Sequence, residues 1–436
     1  MERDEAGFFG RCTEAARIAL SFSDPLIVHH YDADGLSSGA LVCSAFLEKG
    51  KKFRNECIKK LDDIALERLA REREIIFVDL GGGNSRVNEL KDVVIIDHHQ
   101  TEGVEKIQAN PLLFGIDGGT ELSASGTAYC VFRTRPDLAV VGAVGDMQHP
   151  LSGMNRKVLE EGVLGSRVRI EDDLRMYGRY SRPIVQFLAF CDEPFLPGIS
   201  YREDRAAQLL AELGITDFKK TYAELGEAEK KNLISALAKI LIEANQLRAV
   251  NELIGESYVF PQRPRDETYE AGDFSTLLNA CGRHSRPEVG LRVCLNDGAA
   301  MEEARSLLSL HRKMLREGIS YAAGNVQDLG ALRFLDGRGI IDEGIIGVVC
   351  GMAMRQSWSA PVLGIADGGE GGLKVSGRAT KAQVERGVNL GEMMRSASAG
   401  AGGTGGGHRM AAGASIPKEG LNEFMLLCGD YLRQKS

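Results

Sequence analysis

The sequence predicts an α/β protein: a parallel-sheet domain, then a helical connector, then a smaller C-terminal α/β domain. Short apolar runs alternate with helical segments over the first 150 residues. A charged pattern typical of helices follows, and new strand-like runs begin near residue 330. A chain of 436 residues is long enough for two or three domains with separate cores.

The first domain opens with an amphipathic helix, predicted near residues 7–22. Four apolar runs follow, each ending in aspartate or histidine: "DPLIVHHYDADG", "EREIIFVDLGGG", "DVVIIDHHQ" and "LAVVGAVGDM". Runs of this kind are typical of strands buried on both faces of a sheet. Because parallel strands bring their carboxyl ends to one edge, we expect the terminal residues of all four runs to meet there.

Four segments are predicted, with boundaries at residues 1–150, 151–270, 271–328 and 329–436. The second segment is interpreted as a helical connector and insertion, from "EDDLRMYGRYSRPIVQFLAF" to "EKKNLISALAKILIEANQLRAVNELIGE". The third contains "FSTLLNACGRHSRPEVG" and a long helix. The fourth contains "GIIGVVCGMAMRQ", "APVLGIADG" and "GGLKVSGRAT", which predict a second, smaller α/β unit.

Composition excludes several classes of protein. No apolar run reaches the length of a membrane span and the N-terminus is charged, so a soluble, cytoplasmic protein is predicted. The nine cysteines are scattered singly without a CxxC pair, which favours reduced thiols over disulfides or a zinc cage. A net charge of −8 argues against a protein that coats DNA. Any contact with nucleic acid should therefore be a local groove.

The ends of the four apolar runs share one chemistry. They supply carboxylates and imidazoles without a thiolate: His30, Asp32, Asp34, Asp79, Asp97, His98, His99 and Asp146. Such donors suit Mn²⁺, with Mg²⁺ or Co²⁺ as substitutes. Because the set exceeds the needs of one ion, it predicts two ions roughly 3.5–4 Å apart that act on a phosphoester.

Any one of these aspartates could simply cap a turn or a helix. The argument for metal depends on four run ends with the same donor chemistry. His29 lies one residue off the H-x-D-x-D spacing, so packing or hydrogen bonding is predicted for it instead.

The last domain carries residues suited to a phosphate. Ser376 and Arg378 are two apart on a predicted strand, hence on one face, where a hydroxyl and a guanidinium can bind phosphate oxygens. Gly405, Gly406 and Gly407 precede His408, and their backbone N–H groups can closely approach an anion. The surrounding "SASAGAGGTGGG" equally has the composition of a flexible surface loop.

Asn279 and Arg283 in "LNACGR" allow two interpretations. Arg283 is placed where basic residues favour a helix C-terminus. Alternatively, it contacts the substrate backbone at a cleft between domains, with Asn279 beside it.

Together these motifs resemble a known family. "HYDADG" at His30–Gly35, the run-end Asp79, "DHH" at Asp97–His99 and the run-end Asp146 resemble the four motifs of the DHH phosphoesterase superfamily. "GGGH" resembles the signature of the DHH-associated C-terminal domain. "FSTLLNACGR" is similar to the archaeal RecJ-like nucleases, which include the GINS-associated nuclease. One departure is Arg409, where many members of the family have proline.

The resemblance implies a role for each residue of the predicted centre. It implies that one ion is held by His30 and Asp32, and that Asp79 bridges both ions. The other ion would be held by Asp34, His98 and Asp146. Asp97 would orient an imidazole, and His99 would face the scissile phosphate.

The implied activity is that of a Mn²⁺-dependent exonuclease acting on a single strand, most simply DNA from 5′ to 3′, in replication or repair. Two alternatives stay open. One is a phosphodiesterase for short oligonucleotides or cyclic dinucleotides. The other is a replisome or repair-complex subunit that binds GINS or a repair helicase through the helical insertion near 200–255. The charge of that insertion is equally typical of a solvated face.

Overall fold

A computed structural model describes residues 2–191, 194–354 and 358–435 of the chain, apart from the side chain of residue 370. The chain divides into two compact units, Met1–Leu308 and Ser309–Ser436. The boundary between the units falls within the long helix Gly298–Asn325, and the sequence predicts this helix. None of the described helices combines the length and apolarity needed to cross a membrane.

The helices and strands are numbered in chain order. The helices are α1 (Glu5–Ala19), α2 (Ala33–Glu48), α3 (Asp63–Leu69), α4 (Ala124–Phe132), α5 (Pro136–Gly145), α6 (Gly153–Leu164), α7 (Ile184–Ala189), α8 (Glu203–Glu212), α9 (Glu227–Glu243), α10 (Leu247–Asn251), α11 (Ala271–Arg283), α12 (Pro287–Cys294), α13 (Gly298–Asn325), α14 (Ile346–Ala353), α15 (Lys381–Glu385), α16 (Leu390–Gly400) and α17 (Leu421–Arg433). The strands are β1 (Leu26–His29), β2 (Arg54–Cys57), β3 (Glu74–Val78), β4 (Asp92–Ile96), β5 (Ile107–Ala109), β6 (Arg169–Leu174), β7 (Ile254–Val259), β8 (Gln327–Asp328), β9 (Arg333–Asp336), β10 (Val362–Asp367), β11 (Leu373–Arg378), β12 (Thr404–Gly407) and β13 (Ala411–Ile416).

The first unit contains a five-stranded sheet in the order β2-β1-β3-β4-β5, and every neighbouring pair is parallel. Alternate residues of β3 enter different cores: Ile76 packs with α1, α2 and α4, whereas Phe77 packs with α3. The predicted parallel sheet, covered on both faces, is confirmed. The short strands β2 and β5 at its edges were not predicted, since neither has a distinct apolar run.

The prediction that "LAVVGAVGDM" is a strand is wrong, because these residues lie in and just after helix α5. Residues Asp137–Val144 of this helix are all buried, and it packs against α2, α4 and α11. A helix buried on every side has no polar stripe, so periodicity cannot separate it from a buried strand. Pro136 at its first position is a helix-start signal that the apolar pattern obscured.

The connector is not wholly helical, which corrects a second prediction. Its helices α7–α10 form a core with Leu174 and Leu253, but "RIEDDL" forms strand β6, paired antiparallel with β7. This acidic segment has weak intrinsic β-preference. Pairing with a strand about 80 residues later in the chain determines its conformation, which local sequence does not encode.

The second unit has a mixed six-stranded sheet in the order β12-β13-β11-β10-β9-β8. Leu363 and Val375 pack on the face with α16 and α17, and Val362 packs on the opposite face with α14. The glycine segment that the sequence left as either a cradle or a flexible loop is strand β12. It pairs antiparallel with β13.

Candidate functional site

The turn between β1 and α2 carries the first acidic residues of the centre. Asp32 caps α2 by accepting a hydrogen bond from Gly35 N at 3.0 Å, and its other oxygen lies 3.0 Å from His30 Nδ1. A Cβ at Gly35 would lie 2.6 Å from the backbone of His30, so only glycine allows this tight turn. Asp34 is buried, and its carboxylate accepts bonds from Ala124 N and Ser125 N.

Asp79 follows β3 and has a left-handed backbone, with φ of 63°. Only 3% of the residue is exposed. Its Oδ2 lies 3.5 Å from His30 Nδ1, and its Oδ1 lies 3.3 Å from His98 Nε2. No hydrogen bond of good geometry satisfies this buried Oδ1 among the described residues. Asp79 therefore lies between the imidazoles of two different strand ends, as a bridging ligand would.

The three residues after β4 are held by a dense set of hydrogen bonds. Asp97 is fully buried and accepts bonds from Gly82 N, from His98 N and from both the backbone and Nδ1 of His99. His98 Nδ1 donates to Gly118 O at 2.6 Å, which leaves Nε2 directed at Asp79. The resemblance implied that Asp97 orients an imidazole, and the structure places His99 in that position.

Asp146 lies at the C-terminal cap of α5 instead of at a strand end. Its Oδ2 is 3.7 Å from His98 Nδ1 and accepts a bond from Gln148 Nε2 at 2.8 Å. Gln148 also donates to Gly118 O and accepts from Asn155 Nδ2. It therefore ties Asp146 to the backbone group that orients His98. No pattern in the sequence signalled Gln148.

The structure brings the predicted ligands into three overlapping groups, and in each the possible ligand atoms lie within 4.8 Å of one another. The groups are Asp79–His98–His99, His30–Asp32–Asp79 and Asp34–His98–Asp146. The first group shares Asp79 with the second group and His98 with the third, so it connects the other two. His29 belongs to none of them. It is buried and its Nδ1 bonds to His30 O, in agreement with prediction.

The electrostatics of the groups fit divalent cations. Burial, together with Asp79 and Asp146, raises the pKa of Asp34 to about 7. Burial also raises the pKa of Asp146 to about 6, with Asp79 and Asp32 adding to the effect and His98 opposing it. Carboxylates that disfavour each other's ionisation are stabilised by a shared cation. Together with the unsatisfied Asp79 Oδ1, this donor set fits two ions held by oxygen and imidazole.

Helix α11 lies beside this centre. Asn279 Oδ1 accepts a bond from Ala33 N at 3.1 Å, so it supports the turn that carries Asp32 and Asp34. Arg283 is in the last turn of α11. Burial lowers its pKa, while Tyr31 and Asp32 oppose that effect. The structure thus places Arg283 close to the Asp32 end of the centre, and its contact with substrate stays a prediction.

Four of the predicted phosphate residues of the second unit, Ser376, Arg378, Gly406 and His408, lie on one face of its sheet. Ser376 of β11 pairs with Gly413 of β13, which pairs with Gly406 of β12. Paired residues project to the same face, so two glycines form a floor beside Ser376. In the next row Arg378 pairs with Ala411, whose carbonyl accepts from His408 N at 2.8 Å.

We call this surface the phosphate platform, defined by Ser376, Arg378, Gly406, His408 and Gly413. A Cβ at Gly406 would meet no atom within 4 Å, so the space above it is open.

Gly405 and Gly407 have a different environment. A Cβ at Gly405 would lie 2.7 Å from Met394 O in α16, and Gly391 of α16 lies against Gly407 O. Gly405 therefore faces the helix and allows its close approach, whereas at Gly407 the close approach depends on the missing Cβ of Gly391. The structure separates three glycines that the sequence presented as one motif.

Three family models match the chain: the "DHH family, N-terminal domain" at residues 25–150, the "DHH-CID domain" at 176–254 and the "DHHA1 domain" at 330–434. An uncharacterised protein of Methanocaldococcus jannaschii is 30% identical over 433 residues, which cover 94% of each chain.

Solved structures share the fold at low sequence identity. RecJ from Thermus thermophilus, in complex with Mn²⁺, superposes with a TM-score of 0.61 at 17% identity. The match covers 98% of this chain but 55% of that RecJ chain. Another exonuclease RecJ, bound to manganese, gives 0.58 at 17% identity, with 98% and 94% of the chains covered. CDC45 from Entamoeba histolytica gives 0.65 at 13% identity, with 99% and 100% covered.

Proposed function

This chain belongs to the DHH family and has the RecJ-like fold, and from that premise we propose that it is a Mn²⁺-dependent exonuclease that hydrolyses single-stranded nucleic acid. The family and the donor set indicate a metal-dependent phosphoesterase. The observation that supports two ions best is Asp79, whose two oxygens face His30 on one side and His98 on the other. Both RecJ structures described above contain manganese.

When bound, such a pair of ions activates water and stabilises the entering and leaving oxygens on phosphorus. One ion would be held by His30, Asp32 and Asp79. The other would be held by Asp34, His98 and Asp146, with Asp79 shared.

The chain's own residues orient these groups. Gly118 O fixes the ring of His98 through Nδ1, so that Nε2 faces the carboxylates. Asp97 holds His99 through Nδ1 at 2.8 Å. Because 43% of the His99 side chain is exposed, its Nε2 can donate a hydrogen bond to a phosphoryl oxygen of the substrate.

The phosphate platform favours a substrate with more than one phosphate. Arg378 and Ser376 supply a guanidinium and a hydroxyl, and Gly406 leaves room for a group to lie on the sheet. A nucleic-acid strand meets these needs, and we propose DNA cut from 5′ to 3′. A short oligonucleotide or cyclic dinucleotide is the alternative substrate, since it also carries several phosphates.

A partner-binding role in a replisome is a second proposal, in addition to catalysis. The DHH-CID region, residues 176–254, exposes about half of the side chains of Ile242, Leu247 and Ile254. Exposed apolar side chains of this size favour contact with another protein. Binding of purified archaeal GINS, lost in a variant with all three changed to Ser, would support it. Equal binding by that variant would contradict it.

The activity is tested with single-stranded DNA and RNA labelled at the 5′ or the 3′ end, together with a dinucleotide, in the presence of Mn²⁺. Stepwise release of mononucleotides from the long strand is expected, and the label released first gives the polarity. Turnover of the dinucleotide alone would replace the exonuclease by a small-substrate phosphodiesterase. No turnover of any substrate, with Mn²⁺ bound, would reject the enzymatic proposal.

A further inference from the structure

Arg175, which follows strand β6, pairs with a histidine, and none of the described carboxylates forms an ion pair with it. Its Nη2 donates to His149 Nδ1 at 2.7 Å. Within the described part of the chain, no carboxylate oxygen lies inside the 4.0 Å limit of an ion pair with its guanidinium. The carboxylate of Glu256, in the neighbouring strand β7, is paired with Arg156 at 2.6 Å instead. A positive charge fixed in place without a counter-charge indicates a site for an anion.

The position of Arg175 is built by its neighbours. A Cβ at Gly255 would lie 2.8 Å from Cδ of Arg175, so this glycine makes room for the arginine stem. His149 Nε2 bonds to Glu256 O at 2.9 Å, which leaves Nδ1 as the acceptor for Arg175. Burial and Arg175 lower the pKa of His149 to about 4, so the ring is neutral near pH 7 and can accept.

His149 also connects Arg175 to the metal centre, because it is only three residues from Asp146. The residue directly after Asp146 is Met147, which has a left-handed backbone with φ of 62° and is 81% exposed. An apolar side chain so exposed at the rim of a charged centre has no packing role.

Tyr177, two residues after Arg175, is 45% exposed. A Cβ at Gly272 would be 2.2 Å from Cε1 of Tyr177, so the ring lies against the first turn of α11. One turn later on α11, Ser275 Cβ would be 3.2 Å from a Cβ at Gly145, which directly precedes Asp146. Two independent contact chains, through His149 and through α11, thus lead from Asp146 to Arg175 and Tyr177.

We propose that Met147, Arg175 and Tyr177 form a nucleotide subsite on the Asp146 side of the metal centre. Arg175 binds a backbone phosphate of the strand, and Tyr177 stacks on a base with Met147 beside it. A cation next to an exposed aromatic ring is the combination that binds single strands with little base preference. The inference rests on the proposed action on a nucleic-acid strand. It adds the position of the strand beside the metal centre.

The test compares two substrates of the intact protein with Mn²⁺. One is an oligothymidylate of about 20 nucleotides, which reaches the subsite. The other is bis(p-nitrophenyl) phosphate, a phosphodiester too small to reach it. The variants are Tyr177→Leu, Tyr177→Phe and Arg175→Gln. The controls are Phe195→Leu, an aromatic residue with 47% exposure, and Arg205→Gln, an exposed arginine on α8.

Tyr177→Leu should lower kcat/KM for the oligonucleotide about fivefold or more beyond any decrease in kcat/KM for the small diester. The additional decrease should come from a higher KM. Tyr177→Phe should restore the wild-type ratio because the ring is kept. Arg175→Gln should lower the slope of log binding constant against log salt by about 0.7, the value for one phosphate of a single strand. Both controls should match the wild type.

Equal losses on the two substrates, or none, with an unchanged salt slope, would overturn the subsite and leave the nuclease proposal standing. If the wild type hydrolyses neither substrate, the proposed function fails. Binding of fluorescent oligothymidylate in EDTA then decides the subsite alone, since Tyr177→Leu and Arg175→Gln must still weaken that binding.

Discussion

The two candidate sites of this protein are built in opposite ways. The candidate metal centre consists of carboxylates and imidazoles held in place largely by backbone donors, as in the three backbone N–H groups that donate to Asp97 beside His99 Nδ1. The phosphate platform depends instead on a missing side chain, since Gly406 leaves open space in the row of paired residues that contains Ser376. On the proposed function, one site gathers negative charge for cations, and the other offers the Arg378 guanidinium to an anion.

The difference teaches that the two sites should fail differently. In the metal centre a change of charge without a change of shape should be enough to abolish function. On the platform a change of shape without a change of charge should be enough to weaken binding. The four predictions that follow test this contrast, from the largest expected effect to the smallest.

Asp79→Asn should lower activity more than about a hundredfold, because it removes the charge shared by the two ligand groups. Asn keeps the size of the side chain and tolerates the left-handed backbone, so the melting temperature should fall little. Hydrolysis rates and thermal unfolding measure the two effects. Asp92→Asn, an exposed aspartate at the start of β4, is the control. Activity above about 1% of wild type would contradict the bridging assignment.

Gln148→Met should weaken the apparent affinity for Mn²⁺ about 10- to 100-fold, because Asp146 and Gly118 O lose the donor that joins them. A Mn²⁺ titration of activity measures this, and kcat at saturating Mn²⁺ should recover to within a few-fold of wild type. If kcat stays low at saturation, Gln148 does more than position Asp146.

Gly406→Val should raise KM for a nucleic-acid strand about tenfold by covering the platform floor. Nothing lies within 4 Å of the new Cβ, and valine favours strands, so stability should not fall. Gly324→Val, at an equally open position near the end of α13, should leave KM unchanged. An unaltered KM in Gly406→Val would show that substrate does not lie on this face.

Arg378→Ala should weaken strand binding only a few-fold and lower its salt slope by about 0.7. The guanidinium lies close to α14, where a Cβ at Gly347 would be 2.6 Å from Nη2, so some loss of stability should accompany the change. Arg395→Ala, on α16 at the opposite face of the sheet, is the control. An identical slope in both variants would remove Arg378 from the platform.

The same contrast explains how much the sequence could predict. His30, Asp79 and His98 follow apolar runs, so the amino-acid sequence alone predicts them as ligands. The sequence predicts Asp146 in the same way, although the preceding run forms helix α5 instead of a strand, because the prediction depends only on its charge and its position after an apolar run. Gly118 contributes through its carbonyl alone, which no side-chain pattern can indicate.

For the phosphate platform, the sequence does not reveal the register in which the strands pair. Gly405, Gly406 and Gly407 are indistinguishable in the sequence, and only the pairing of β12 with β13 assigns Gly406 to the open face and Gly405 to the face of α16. Strand β6 was missed for a related reason, since its partner β7 is far away in the chain. Local composition predicts chemistry well here, whereas long-range pairing decides which atoms face which side.

The left-handed backbone at Asp79 has a consequence for the history of such proteins. Most side chains are strained in that conformation, and Gly, Asn and Asp are the residues that adopt it most readily. A descendant that gave up catalysis would be free of the need for charge at this position but would still need the turn after β3. Its ancestry should therefore remain visible as Asn or Gly here, long after the neighbouring histidines had been replaced.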